Sequence, residues 1–156
     1  MLEDMKLVLL VEDDPDHAEL IRRSFANHQV ANKVDHVFDG EAALDYLFRR
    51  GEFAESVELA QPNLILLDLR LPRIDGMEVL KKIKSSDELK SIPVVILTTS
   101  EADADVNQAY RNCANSYLVK PMEFDAFVKL IDELGLYWLT LNRRPQADQT
   151  ISRVGS

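Results

Sequence analysis

Between Lys6 and about Leu136, short apolar runs alternate with longer segments whose apolar residues recur at three- and four-residue spacing. A strand period that keeps giving way to a helical one builds βα units. Repeated βα units require a parallel sheet covered by helices on both faces. Five units are legible, with strands predicted at Lys6 to Val11, Lys33 to Val37, Leu64 to Leu67, Val94 to Leu97 and Ser116 to Val119. All have ordinary strand lengths.

The helices announce themselves by their first residues. Asp14 is placed as an N-cap with Pro15 at the first helical position, followed by Ala18, Ile21 and Phe25 on one face. A second helix after Asp39-Gly40 carries Leu44, Leu47 and Phe48, and a third after Asp75-Gly76 carries Met77, Leu80 and Ile83. Ser100 is the expected cap of a fourth, with Val106, Ala109, Tyr110 and Cys113 as its apolar stripe; Phe124, Phe127, Ile131 and Leu134 mark the fifth. Residues 51–62 lengthen the link into the third strand. After Leu136 come the apolar Tyr137-Trp138-Leu139-Thr140-Leu141 and then a polar stretch. The expected organisation is one domain over 1–141 including that apolar extension, a disordered tail over 142–156, and no output domain.

A chain of 156 residues is long enough to bury one sizeable core, and 46% hydrophobic with 29% charged residues is ordinary globular composition. The formal charge of −9 argues against nucleic acid and against anionic membranes as partners, because neutralising phosphates needs clustered Lys and Arg. Protein partners are expected instead. Cys113, the single cysteine, excludes an internal disulfide and reads as small core filler. The opening Met1 to Lys6 lacks a basic signal-peptide region, and no apolar run approaches the roughly 18 residues of a membrane span, so a cytoplasmic location is expected. His17, His28 and His36 have no metal-ligand spacing and read as surface residues.

Four of the apolar runs finish in polar groups: Glu12-Asp13-Asp14, Asp68, Thr98 and Lys120. A parallel sheet delivers such ends to one edge, where open α/β sheets place their sites. Carboxylates from Glu12, Asp13 and Asp68 converging within ~4 Å would repel by several kcal/mol per pair at an effective dielectric of about 20, so a cation is needed. An oxygen-only donor set without His or Cys favours magnesium (Mg2+), with Asp13 and Asp68 as direct ligands, Glu12 acting through water, and Asp14 left as the helix cap. Asp68, leaving a fully apolar strand, also suits attack on phosphorus to give an acyl phosphate. Magnesium, the Lys120 ammonium and the Thr98 hydroxyl would then stabilise the phosphoryl oxygens. Pro121 fixes the backbone beside Lys120, a cis bond being one way to aim the amine inward. No glycine-rich loop follows a strand, which argues against a dinucleotide or ATP enzyme.

Taken together, Leu9-Leu10-Val11-Glu12-Asp13-Asp14-Pro15, Leu67-Asp68-Leu69-Arg70-Leu71-Pro72 with Asp75-Gly76, Leu97-Thr98, and Tyr117-Leu118-Val119-Lys120-Pro121 resemble the receiver domain of two-component response regulators over nearly all of 6–136. The resemblance implies a flavodoxin-like, doubly wound (βα)5 fold with parallel sheet order 2-1-3-4-5. It implies that Asp68 accepts phosphate from a sensor histidine kinase, that Glu12 and Asp13 form the acidic pair, and that the Arg70 backbone carbonyl is a further metal ligand. Thr98 and Lys120 would contact the phosphoryl group. Tyr117 would be an aromatic switch, turning inward as Thr98 moves and altering the face made by helix four, strand five and helix five. By itself Tyr117 reads as an ordinary strand aromatic.

Three features depart from the commonest receivers. Arg70 stands two residues after the acceptor, where it could contact the phosphoryl group or obstruct water. Residues 51–62 are long for the family, and Tyr137-Trp138-Leu139 extends the chain without leading to an output domain. The last two resemble single-domain regulators that partner bacteriophytochromes and related sensor kinases. The aromatic tail is expected either to pack on its own helix five or to form a homodimer through Tyr137, Trp138 and Leu139. The leading expectation is a signalling module that modifies only itself. Its competitors are a magnesium-dependent phosphatase with an aspartyl-phosphate intermediate, and a phosphorylation-independent adaptor. Against the phosphatase, Arg70 occupies the position where such enzymes carry an acid.

Overall fold

The computed structural model describes residues 5–30, 32–55 and 61–143. Strands β1 (Lys6–Val11), β2 (Asn32–Val37), β3 (Leu64–Leu67), β4 (Val94–Thr98) and β5 (Ser116–Val119) alternate with helices α1 (Pro15–Ala26), α2 (Gly40–Phe48), α3 (Gly76–Ser85), α4 (Asp103–Arg111) and α5 (Phe124–Leu136). All strand pairings are parallel, in the order β2-β1-β3-β4-β5. This is the flavodoxin-like order that the motifs implied.

The period of two within each strand sorts the core into halves. Leu9, Val11, Ile65, Leu67, Val94 and Ile96 face one way and pack on Ala43, Leu44, Val79, Leu80, Ile83 and Ala109 of α2, α3 and α4. Val8, Leu10, Leu64, Leu66, Val95 and Leu97 face the other way, against Ala18, Ile21 and Phe25 of α1 and Phe127, Ile131 and Leu134 of α5. Both sides of the three central strands are therefore dry, which explains runs that are apolar throughout instead of alternating.

Three helices start where the sequence says. The Asp14 side chain accepts from the Asp16 and His17 amides, Asp39 from Ala42, and Asp75 from Glu78. Helix α4 does not: its N-cap is Ala102, without a side-chain bond, because the Ser100 hydroxyl donates to Asp105 Oδ2 and accepts from the Ala102 amide ahead of the helix. Its stripe is also thinner than the spacing suggested. Ala109 is the buried residue of α4, while Tyr110 is 50% exposed. The helix has ended by Cys113, which takes a left-handed turn (φ 69°) and is exposed. Cys113 is thus not core filler; Ala114 fills that place. Phe48 and Phe124 likewise lie at the solvent edge of their helices. Described peptide bonds are all trans, so the cis bond considered at Pro121 is not present.

The first residues of the long link form a 3-10 turn over Gly51–Phe53, and Phe53 lies edge-on to Tyr46. The apolar extension is helical too: α5 runs into a wider π-type turn over Tyr137–Leu141, with Leu139 buried and Trp138 packed against the α1/α5 side of the core. Tyr137 and Leu141 remain about half or more exposed, at 49% and 60%. The expected disordered tail lies, beyond residue 143, outside the described residues. Among the described residues no helix is long and apolar enough to cross a membrane.

Helix α2 is seated on the loop after β3 at Gly40, where an added Cβ would stand 1.8 Å from the Ile74 carbonyl oxygen. Replacing glycine by alanine in a helix normally gains up to about 1 kcal/mol. Here the obstacle is backbone, which cannot rotate away, so Gly40→Ala is expected to destabilise the fold by about 2 kcal/mol. Urea denaturation checks this; an unchanged or raised midpoint would refute the packing described.

Candidate functional site

Register decides what meets at the carboxyl edge. Val11 lies opposite both Val37 and Leu67, so Glu12 and Asp68 leave neighbouring strands level with each other, while Lys120 follows Val119, opposite Thr98, two residues farther along than Asp68. The ladder continues one step past the strands: the Asp68 amide donates to Val11 (3.1 Å), Glu12 to Val37 (3.1 Å) and Lys120 to Thr98 (2.7 Å). These bonds fix the backbone from which the polar side chains project.

Lys120 is the centre of the cluster. Its ammonium, almost fully buried, donates to Glu12 Oε1 (2.5 Å), to Asp68 Oδ2 (2.9 Å) and to His17 Nδ1 (3.0 Å). Burial opposes its charge, yet Glu12 and Asp68 outweigh that and raise its pKa. Glu12 is at the opposite balance: burial pushes its carboxyl up from 4.5 to about 7, against the pull of Lys120 and with the push of Asp68. Both Glu12 oxygens are engaged, since Oε2 accepts from the Asp14 amide at 3.1 Å. Asp68 is held from two sides as well, Oδ1 accepting from the Arg70 amide at 3.1 Å.

Glu12, Asp13 and Asp68 can each offer an oxygen within 4.8 Å of the others. The first and last are buried and Asp13 is exposed. Three carboxylates without nitrogen or sulfur suit a hard divalent cation that keeps several waters, so the donors fit the ion the sequence suggested. Thr98 has no exposed surface, and its Oγ1 has no hydrogen-bond partner among the described residues. An unsatisfied buried hydroxyl costs roughly 1–3 kcal/mol, so this one stands ready for an acceptor. A cleft of about 710 Å³ opens beside the cluster, lined by His17, Thr99, Glu101, Val119, Lys120, Pro121 and Met122.

The Arg70 side chain is paired with the first turn of α4. Its guanidinium donates to Asp105 Oδ2 at 2.9 Å, the oxygen that Ser100 also uses. The Tyr117 hydroxyl donates to the Ser100 carbonyl at 3.0 Å, so the loop after Asp68, the first turn of α4 and β5 form one polar chain. Asp105 carried no sequence signal beyond an acidic residue in the first turn of a helix. The histidines were also under-read. His17 meets Lys120, His36 Nε2 donates to the Glu12 carbonyl at 2.8 Å, and His28 lies edge-on to Phe25. His17 and His36 required partners from other elements, which no spacing along the chain could reveal.

A family model described as the response regulator receiver domain matches residues 8–132. The chain is 46% identical, over 92% of its length and 90% of the relative's, to the probable methanogenesis regulatory protein FilR2 of Methanothrix harundinacea. Among solved structures, the Mn(2+)-bound form of response regulator Rcp1 is similar with a TM-score of 0.86 and 37% identity, covering 90% of this chain and 99% of that one. The phosphorylated cyanobacterial phytochrome response regulator RcpA has a TM-score of 0.85 and 38% identity, covering 91% and 99%.

The raised Glu12 carboxyl has a consequence for stability. Between pH 4.5 and about 7 the folded chain binds more protons at Glu12 than the unfolded chain does. Its contribution is therefore complete below pH 4.5 and is lost as the pH rises through 7. In chelator-treated solution, the urea midpoint of the wild type should fall relative to that of Glu12→Gln across this window. Parallel pH curves would show that Glu12 is not raised.

Proposed function

We propose, given that the chain belongs to the response regulator receiver domain family, that Asp68 accepts a phosphoryl group from the phosphohistidine of a sensor histidine kinase. The observation that carries this reading is Asp68 itself, buried with one oxygen on the Lys120 ammonium and the other on the Arg70 amide, beside the carboxylates of Glu12 and Asp13. An Asp68 oxygen attacks phosphorus, the P–O bond forms as the donor's P–N bond breaks, and the electron pair stays on the imidazole nitrogen. Lys120 exchanges Asp68 Oδ2 for a phosphoryl oxygen while Glu12 keeps it pinned. Thr98 donates its free hydroxyl proton to another. Magnesium, held by Asp13, Asp68 and the Arg70 carbonyl with Glu12 through water, would neutralise part of the phosphoryl charge of roughly −1.5 to −2.

The same change supplies a switch. Thr98 gains an acceptor only after modification, which favours whatever movement brings its hydroxyl to the phosphoryl group. Tyr117 is tied to the Ser100 carbonyl, and in this reading that movement releases or redirects it, with the face of α4, β5 and α5 carrying the result. A phytochrome-type kinase is the favoured donor, on the likeness to RcpA. A homodimer is the favoured assembly. Of its three candidate residues Leu139 is already buried within the chain, Trp138 is partly so, and Tyr137 is the exposed one. Turnover on free phosphoesters is disfavoured, because the second residue after Asp68 is Arg70, paired to Asp105, and no acid stands there. These properties describe a cytoplasmic module that modifies itself and turns over no separate substrate.

Incubation with magnesium and a small phosphodonor should give the wild type hydroxylamine-labile phosphate that Asp68→Asn lacks. Equal, hydroxylamine-resistant labelling of both would remove Asp68 as the acceptor. Magnesium should raise the melting temperature by a few degrees by relieving carboxylate repulsion, and the rise should shrink in Asp13→Asn. Thermal unfolding across millimolar magnesium checks it, a flat response counting against the metal assignment.

A further inference from the structure

His17 lies outside the motif residues, on the first turn of α1, yet its Nδ1 is 3.0 Å from Lys120 Nζ. An ammonium donates and never accepts, so Nδ1 supplies the lone pair and the ring proton sits on Nε2. The ring is held from several directions. Its backbone amide donates to Asp14 Oδ1, its edge meets the Phe127 ring of α5 (centroids 5.1 Å apart, planes at 81°), and Phe127 is itself in the core. With Glu12 Oε1 and Asp68 Oδ2, His17 completes the three acceptors that three ammonium protons can use.

On this geometry we infer that His17 is a positioning residue for phosphoryl transfer, holding the Lys120 ammonium in the orientation that presents one proton to the acceptor. The inference rests on the proposed role of Asp68. Glu12 and Asp68 bind two of the three ammonium protons from β1 and β3, and His17 binds the third from α1, so Nζ is held against swings of the long lysine side chain by three separate elements. When Asp68 is modified, the proton it had accepted passes to a phosphoryl oxygen while the other two bonds persist. Positioned charge acts more strongly than mobile charge because no reorganisation is needed during the reaction.

The test measures the rate of phosphate uptake on the full chain, from a small acyl phosphate with magnesium, by intact mass. Wild type and Asp68→Asn come first, since absence of uptake by the wild type would defeat the acceptor reading and not this one. His17→Phe keeps the ring and its contact with Phe127 but has no acceptor, and His17→Leu is a second acceptor-free variant should the first unfold. His17→Gln and His17→Asn restore an amide oxygen. Uptake should slow about tenfold in the acceptor-free variants, in line with loss of a hydrogen bond to a charged group. It should recover most of its rate in Gln or Asn, at melting temperatures that do not follow the rates. Wild-type rates in the Phe and Leu variants would overturn the inference. So would equally slow rates in all four variants, which would assign His17 a packing role alone.

Discussion

One buried ammonium governs the site. Lys120 is removed from water among an otherwise apolar sheet, and a charge so placed is stable only when its partners are close and numerous. Glu12 and Asp68 meet that requirement, and each is in turn held by a backbone amide, so the arrangement is a closed network instead of three independent side chains. The carboxylates outnumber the cation, and with Asp13 the excess negative charge is what makes the edge receptive to a divalent ion.

The network depends on the sheet for its geometry. The dry faces above and below β1, β3 and β4 define the register, because a one-residue slip would exchange the two halves of the core. Correct register places Glu12 and Asp68 level with one another and Lys120 two residues beyond them, from where its long side chain reaches both. Packing energy, spread over Leu, Ile and Val residues that touch no ligand, is thus what sets the positions of the polar groups. Gly76 shows how tight the mounting is: a Cβ there would stand 2.1 Å from the Asp68 carbonyl oxygen, so α3 starts directly on the Asp68 backbone.

What the sequence discloses follows from how local each cause is. Strand positions, the Asp14 cap and the strand-end placement of Glu12, Asp13, Asp68, Thr98 and Lys120 were legible because periodicity and strand ends are local and a parallel sheet has only one carboxyl edge, whereas the sheet order came with the motif resemblance. Cys113 was misplaced because its stripe spacing holds only while a helix continues, and a left-handed turn ends this one first. Asp105 was missed because its meaning comes from Arg70, 35 residues away, and from Ser100, whose hydroxyl left the capping role to reach it. His17 was read as a surface residue since its partners Lys120 and Phe127 come from the far end of the chain.

Helix α4 has the slightest apolar footing in the molecule's described core, Ala109 being its buried side chain. Much of what orients its first turn is Asp105, shared between Ser100 and an Arg70 whose side chain is 67% exposed. Ion pairs in such surroundings weaken as mobile ions accumulate around them, whereas the leucine-rich interior hardly responds. The seat of this helix is therefore more electrolyte-sensitive than the interior it rests on, and the surrounding salt content sets how firmly one face of the molecule is held.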